Sequence, residues 1–244
     1  MHILAIGECM AELAPSDNNR DFRMGFAGDT FNTAWYLARC APDVQVSYFT
    51  SIGDDPTSLK MRTFIRDSGV RDTYVATEPN KTVGLYLISL NQGERSFSYW
   101  RGQSAARSLA DNPARLSNAM AAVDLIYFSG ITLAILPRDK RNTLIAALSE
   151  ARQNGKTIVF DPNLRPKLWT SPEEMTQDVM RGAAVSDLIL PSFEDEFDYF
   201  NDQDPFATIV RYQNVGAQTV IVKNGEAPVV YSKNGKTNEI PGRV

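Results

Sequence analysis

Apolar positions in this chain recur with two periods, and the switches between them outline the fold. The run His2–Ile6, stopped by Gly7, reads as a buried strand. Phe31, Trp35, Leu37 and Ala38 recur at helical spacing within 28–40, with Pro42 just beyond, so this stretch predicts a helix whose start Asp29 or Thr30 caps. Val44–Thr50 alternates as a strand, and Thr57–Ser68 is a helix ended by Gly69. From Thr82 to Leu90, Val83, Leu85 and Leu87 alternate with Gly84, Tyr86 and Ile88. The turn Asn91-Gln92-Gly93-Glu94 then leads into Ser96–Trp100, which predicts a β-hairpin. Beyond residue 111, Val123–Ser129, Thr157–Phe160, Leu188–Leu190 and Thr219–Val222 read as strands. Between them Pro137–Gln153 and Pro205–Asn214 read as helices, stopped by Gly155 and Gly216. Ser171-Pro172-Glu173-Glu174 opens another helix, with Pro at its first position and acids on its dipole. Val229–Tyr231 and Thr237–Ile240 read as a closing antiparallel pair. Strands alternating with helices of this length imply an α/β fold with a mostly parallel sheet covered on both faces, and the hairpin stands outside it as a small β appendage.

Composition then removes several classes of function. At 244 residues and 43% hydrophobic, the chain is long enough for one large domain with a real core. Its 25 Lys and Arg against 29 Asp and Glu, net −4, contain no basic run, which argues against a nucleic-acid partner. Cys9 and Cys40 are too few for a disulfide scaffold and read as core or small-pocket fillers. The only histidine, His2, sits at what reads as a flexible start, so Ser-His-Asp, Cys-His and multi-His metal chemistry are excluded. No basic leader and no long apolar run occurs, so the expectation is a cytoplasmic protein without a membrane partner.

Two Gly-Lys-Thr triplets, at 155–157 and 235–237, imitate a phosphate-binding loop, but Glu150 and Val230 stand where its first Gly belongs. Gly-x-Gly-x-x-Gly is absent too. The informative segments are those expected at the carboxyl ends of strands, where open α/β sheets bind ligands. In Gly25–Asn32, Gly28 admits a ligand to the backbone and Asn32 offers both donor and acceptor to a hydroxyl; the alternative is a capped helix start without a ligand. Alternation puts Tyr99 and Arg101 on one face of the hairpin end and Trp100 on the other, which suits capture of a carboxylate or a plain exposed aromatic–cation face. Asp161-Pro162-Asn163-Leu164-Arg165 is a rigid turn carrying an acid, an amide and a guanidinium, either to meet a phosphate or carboxylate or to pair Arg165 with Asp161. Ser192-Phe193-Glu194-Asp195-Glu196-Phe197-Asp198 clusters four acids at a helix start, for dipole complementation or for Mg²⁺.

Several motifs, taken in order, resemble the ribokinase family of carbohydrate kinases. They are Ile6-Gly7-Glu8-Cys9-Met10-Ala11-Glu12-Leu13, Gly28-Asp29-Thr30-Phe31-Asn32, Gly93-Glu94-Arg95-Ser96-Phe97-Ser98-Tyr99-Trp100-Arg101, Phe128-Ser129-Gly130-Ile131 and Asp161-Pro162-Asn163-Leu164-Arg165-Pro166-Lys167-Leu168-Trp169. Within the family they are similar to the group acting on 2-keto-3-deoxygluconate. The resemblance implies a single ribokinase-like α/β domain over 1–244, with a β lid drawn from about 10–25 and 82–101; an exposed apolar face on that lid would favour a homodimer through it. It implies ATP and Mg²⁺ as cofactors and a sugar acid as substrate. Gly28, Asn32, Tyr99, Arg101 and Arg165 would contact the sugar acid, and Arg165 would be the catalytic cation. Asn163 and Arg165 would face the phosphate, and Lys223, Asn224 and Gly225 would line the nucleotide. Ala27 stands where the first Gly of a pair is usual, and Ser192 and Asp195 replace an Asn-x-x-Glu motif, leaving Glu194, Asp195 and Glu196 as metal candidates. The catalytic base is expected beyond Val244, in a Gly-Ala-Gly-Asp segment. A fructokinase-like enzyme and a non-catalytic sugar-acid binding protein are the alternatives.

Overall fold

The buried run at the start is strand β1 (His2–Ile6), followed by β2 (Met10–Pro15), β3 (Phe22–Ala27), helix α1 (Asp29–Cys40), β4 (Gln45–Ile52), α2 (Pro56–Asp67), β5 (Arg71–Thr77), β6 (Leu85–Asn91) and β7 (Glu94–Trp100). The computed structural model describes residues 1–16, 21–91, 94–233 and 235–242; Gln92 and Gly93 of the hairpin turn, 17–20 of the expected lid and Arg243 and Val244 lie outside them. Residues 1–112 form one compact unit. In it β1 pairs with β4 and β4 with β5, all parallel. A second sheet of four strands runs β3-β2-β6-β7, with β6 and β7 in the antiparallel register of a hairpin from Leu85↔Trp100 to Asn91↔Glu94. Leu4, Ile6, Phe31, Tyr48, Phe49 and Ile65 are fully buried here, each apolar side chain contributing on the order of 1.5–3 kcal/mol.

Residues 113–244 form the other unit. Its elements are α3 (Pro113–Ala121), β8 (Leu125–Ser129), α4 (Gly130–Ile135), α5 (Arg138–Gln153), β9 (Thr157–Asp161), α6 (Pro172–Ala184), β10 (Leu188–Ile189), α7 (Phe193–Phe200), α8 (Pro205–Asn214), β11 (Thr219–Val222), β12 (Val229–Lys233) and β13 (Lys236–Ile240). β8, β9, β10 and β11 are parallel neighbours, and β12 and β13 close the edge antiparallel. The fold class is therefore α/β with mostly parallel strands and flanking helices, as the alternation predicts. Ser171 caps α6, its Oγ accepting from Glu174 N at 3.2 Å.

Several elements escape the periodic pattern for identifiable reasons. β5 has one fully buried position, Val75, and so lacks an apolar run. α4 continues the apolar stretch of β8, and only the Ser129–Thr132 capping box marks the change of period. α3 is short, with Leu116, Ala119 and Met120 as its buried stripe. Three readings are corrected. His2 is part of β1, its Nε2 2.8 Å from Ser47 Oγ, because strand pairing orders the chain from its second residue. Cys9 is buried, but Cys40 is exposed at the last position of α1. Gly28, not Asp29 or Thr30, is the N-cap of α1; Thr30 is drawn into the core, its Oγ1 3.0 Å from Tyr48 Oη.

Candidate functional site

In residues 1–112 the expected sugar contacts gather around a residue the periodic pattern passes over. The chain leaves β1 at Ile6 and enters β2 at Met10 through a turn holding Glu8, 2% exposed. The Glu8 carboxylate pairs with the Arg101 guanidinium, just past β7. Burial pushes the Glu8 carboxyl above the ordinary range, while Arg101 and Ser104 pull it back. Backbone room for this carboxylate comes from two glycines. A Cβ at Gly84 would lie 2.7 Å from Glu8 Oε1, and one at Gly28 would run into the Glu8 carbonyl oxygen. Asn32 is exposed one turn into α1, its Oδ1 accepting from Gly28 N at 3.4 Å. Tyr99 shares the face of Arg101, as alternation predicts, with its ring centroid 5.9 Å from the guanidinium carbon. Tyr86, cross-strand from Tyr99, donates to the Glu12 carboxylate, and burial together with that acid raises the Tyr86 hydroxyl pKa. Gly28, Asn32, Tyr99 and Arg101 are thus linked through Glu8. In the sequence Glu8 is marked by its place in the motif Ile6–Leu13 and as an acid within a largely apolar run, which is costly to bury without a partner.

In residues 113–244 the expected phosphate-side groups occupy the carboxyl ends of neighbouring strands. β9 ends at Asp161, whose carboxylate accepts from Lys223 Nζ at 3.0 Å, just past β11. Asp161 Oδ1 also accepts from Asn163 N at 3.2 Å, and Asn163 takes a left-handed φ of 36°. Gly130 allows that turn its position, since a Cβ there would run into the Pro162 carbonyl oxygen. Arg165 Nη1 donates to Leu164 O at 2.6 Å. Its charge, with that of Lys223, acts on Asp195, whose carboxyl burial and Glu194 nonetheless push up. Lys223 and Ser192 are bridged through backbone, Phe193 N donating to Lys223 O at 2.8 Å. Gly225 continues the loop with φ 56° and open space where a Cβ would stand; Asn224 Nδ2 reaches Pro228 O at 3.5 Å.

The acidic start of α7 divides in two. Glu194 is exposed and Asp195 half-buried, whereas Glu196 is fully buried and held by Arg211 Nη2 at 2.5 Å and Tyr212 Oη at 3.0 Å. Mg²⁺ takes oxygen ligands, commonly one or two carboxylates with phosphate and water completing the shell. Glu194 and Asp195 fit that role, and Glu196 does not, because its carboxylate is spent inside the protein. Among the described residues, no three His, Cys, Asp or Glu come together as a ready-made metal cage. The described residues also contain no helix long and apolar enough to cross a membrane.

Known proteins resemble this chain in sequence and in fold. Residues 1–243 match the family described as pfkB family carbohydrate kinase. The 2-dehydro-3-deoxygluconokinase of Haemophilus influenzae is 39% identical over 238 residues, covering 94% of this chain and 74% of that protein. The enzyme of the same name from Escherichia coli K12 is 36% identical over 239 residues, covering 96% and 77%. Among solved structures, a PfkB protein from Polaromonas sp. JS666 superposes with a TM-score of 0.89 at 22% identity, over 100% of this chain and 83% of that one. A fructokinase with bound ATP from Xylella fastidiosa gives 0.83 at 23% identity, over 100% and 74%.

Proposed function

From a chain that belongs to the pfkB family of carbohydrate kinases, we propose a specific reaction: transfer of the ATP γ-phosphate to a hydroxyl of 2-dehydro-3-deoxygluconate, the compound also called 2-keto-3-deoxygluconate. The observation that carries the substrate is the 36–39% identity, over almost the whole chain, to curated enzymes of that name. The residues support it chemically. A sugar acid needs a cation for its carboxylate, which a plain hexose does not, and Arg101 is a guanidinium at a strand end beside a tyrosine ring.

In this reading Gly28, Asn32, Tyr99 and Arg101 hold the sugar acid. Asn163 and Arg165 face the transferring phosphoryl group, Arg165 carrying the charge that builds up there, and Lys223, Asn224 and Gly225 line the nucleotide. Phosphoryl transfer asks little covalent chemistry of the protein and depends on positioning and charge neutralisation. Mg²⁺, when bound, neutralises phosphate charge, and Asp195 with Glu194 would hold it on the protein side. None of the described residues is assigned the role of proton acceptor. The four-stranded sheet β3-β2-β6-β7 is read as a lid on a single catalytic domain. Its exposed Phe22, Met24, Phe97 and Trp100 support pairing of two copies through it, and cytoplasmic residence is the accompanying expectation.

The test is ADP release with the keto acid or fructose as acceptor. Release that depends on the keto acid and exceeds that with fructose is the expected result. Preference for fructose replaces the reading with a fructokinase. Thermal stabilisation by the keto acid without ADP release replaces it with a sugar-acid binding protein. Arg101→Ala is expected to weaken keto-acid binding about tenfold or more and to leave fructose binding nearly unchanged.

A further inference from the structure

Arg101 does not stand free at the end of the hairpin. Its guanidinium, with the side chain 12% exposed, is paired through Nη2 to a Glu8 carboxylate only 1% exposed. Two atoms of this pair, Glu8 Oε1 and Arg101 Nε, are buried without a hydrogen-bond partner. A buried ion pair of this kind is a poor stabilising device. Desolvation consumes most of its Coulombic gain, and an apolar replacement of similar volume often does as well or better. Unsatisfied buried polar atoms add to the cost and call for a reason other than stability. The surroundings are nonetheless built for it: Gly84 leaves the space that Oε1 occupies, and Gly28 admits the Glu8 backbone.

We propose that Glu8 is a positioning residue for sugar-acid specificity. It anchors one edge of the Arg101 guanidinium and leaves the planar fork aimed, with its remaining Nη donors, at a ligand carboxylate. An arginine on a strand end otherwise loses a good part of its binding free energy to the ordering of a long side chain. A guanidinium already held on one edge by a buried carboxylate avoids that loss before the substrate arrives. The inference rests on the sugar-acid kinase reading above and deepens it by naming what makes Arg101 selective.

The experiment is calorimetric titration of the purified protein with 2-keto-3-deoxygluconate and, separately, with ATP, for the unaltered chain, Glu8→Gln, Arg101→Ala and the double variant. Glu8→Gln is nearly isosteric and removes only the charge. It is expected to weaken keto-acid binding about tenfold while leaving ATP binding unchanged, a separation that a general structural defect does not produce. In the Arg101→Ala background the same change is expected to cost less than about twofold further, because Glu8 acts through Arg101. Glu8→Asp keeps the charge but withdraws it by one methylene; it is expected to fall between the two, and it serves alone should Glu8→Gln not fold. Unchanged keto-acid binding in the Glu8 variants, or effects of Glu8→Gln and Arg101→Ala that simply add, would overturn the proposal. Absence of keto-acid binding by the unaltered protein overturns the kinase reading, and the proposal with it.

Discussion

Glu196 stands one residue beyond Asp195 and behaves as a different chemical species. Burial pushes its carboxyl up to about 7, against the opposing pull of Arg211 and Tyr212 and with the help of Asp202. The unfolded chain releases this proton near the ordinary 4.5. Between those values the folded protein therefore binds the extra proton, and stability falls as pH rises through the window, then levels off above it. Urea midpoints measured across that range are expected to decline, and Glu196→Gln is expected to flatten the decline. An unchanged slope in the variant would assign the effect elsewhere. Nothing in the string Glu194-Asp195-Glu196 separates these three acids. Their fates differ because a helix of 3.6 residues per turn points the third inward, toward a partner on α8.

At the scale of elements, the turn that presents Asn163 and Arg165 is held from behind. Arg141, on α5 and nearly buried, donates to Glu174 and Asp178 of α6, each at 2.6 Å, and to Leu136 O at 3.0 Å. Its guanidinium carbon also lies 4.7 Å from the Trp169 ring centroid, just past the short 3₁₀ turn Pro166–Leu168. One side chain thus ties two helices to the segment that follows Arg165. Arg141→Ala leaves two acids without this cation and is expected to cost about 3 kcal/mol in urea unfolding. A loss below about 1 kcal/mol would show the ties to be dispensable. The helix–strand succession around this turn was legible because Pro172, Gly155 and Gly216 punctuate it locally. The clamp was not, because Arg141 looks like any polar position of an amphipathic helix until the packing shows which face it takes.

For the whole molecule the prediction is linkage. If the keto acid and ATP each bind the folded chain, either at a hundred times its dissociation constant is expected to add about 2.7 kcal/mol of stability. The melting temperature should rise with each, and failure of both to raise it would count against the kinase reading. The α/β class, the greater part of the succession of strands and helices and the β6–β7 hairpin were determined by the sequence itself, since period, turn residues and caps are properties of neighbouring positions. The candidate site residues from Gly28 to Gly225 were named from the sequence as well, through the motifs that resemble the family. Tertiary structure alone decided which charges meet. Glu8 finds Arg101 from 93 positions away and Asp161 finds Lys223 from 62. It also decided that Glu196 is spent inside the protein and that β5 counts as a strand. Such outcomes turn on desolvation and on a partner brought in by long-range packing, and neither quantity is written in the local order of residues.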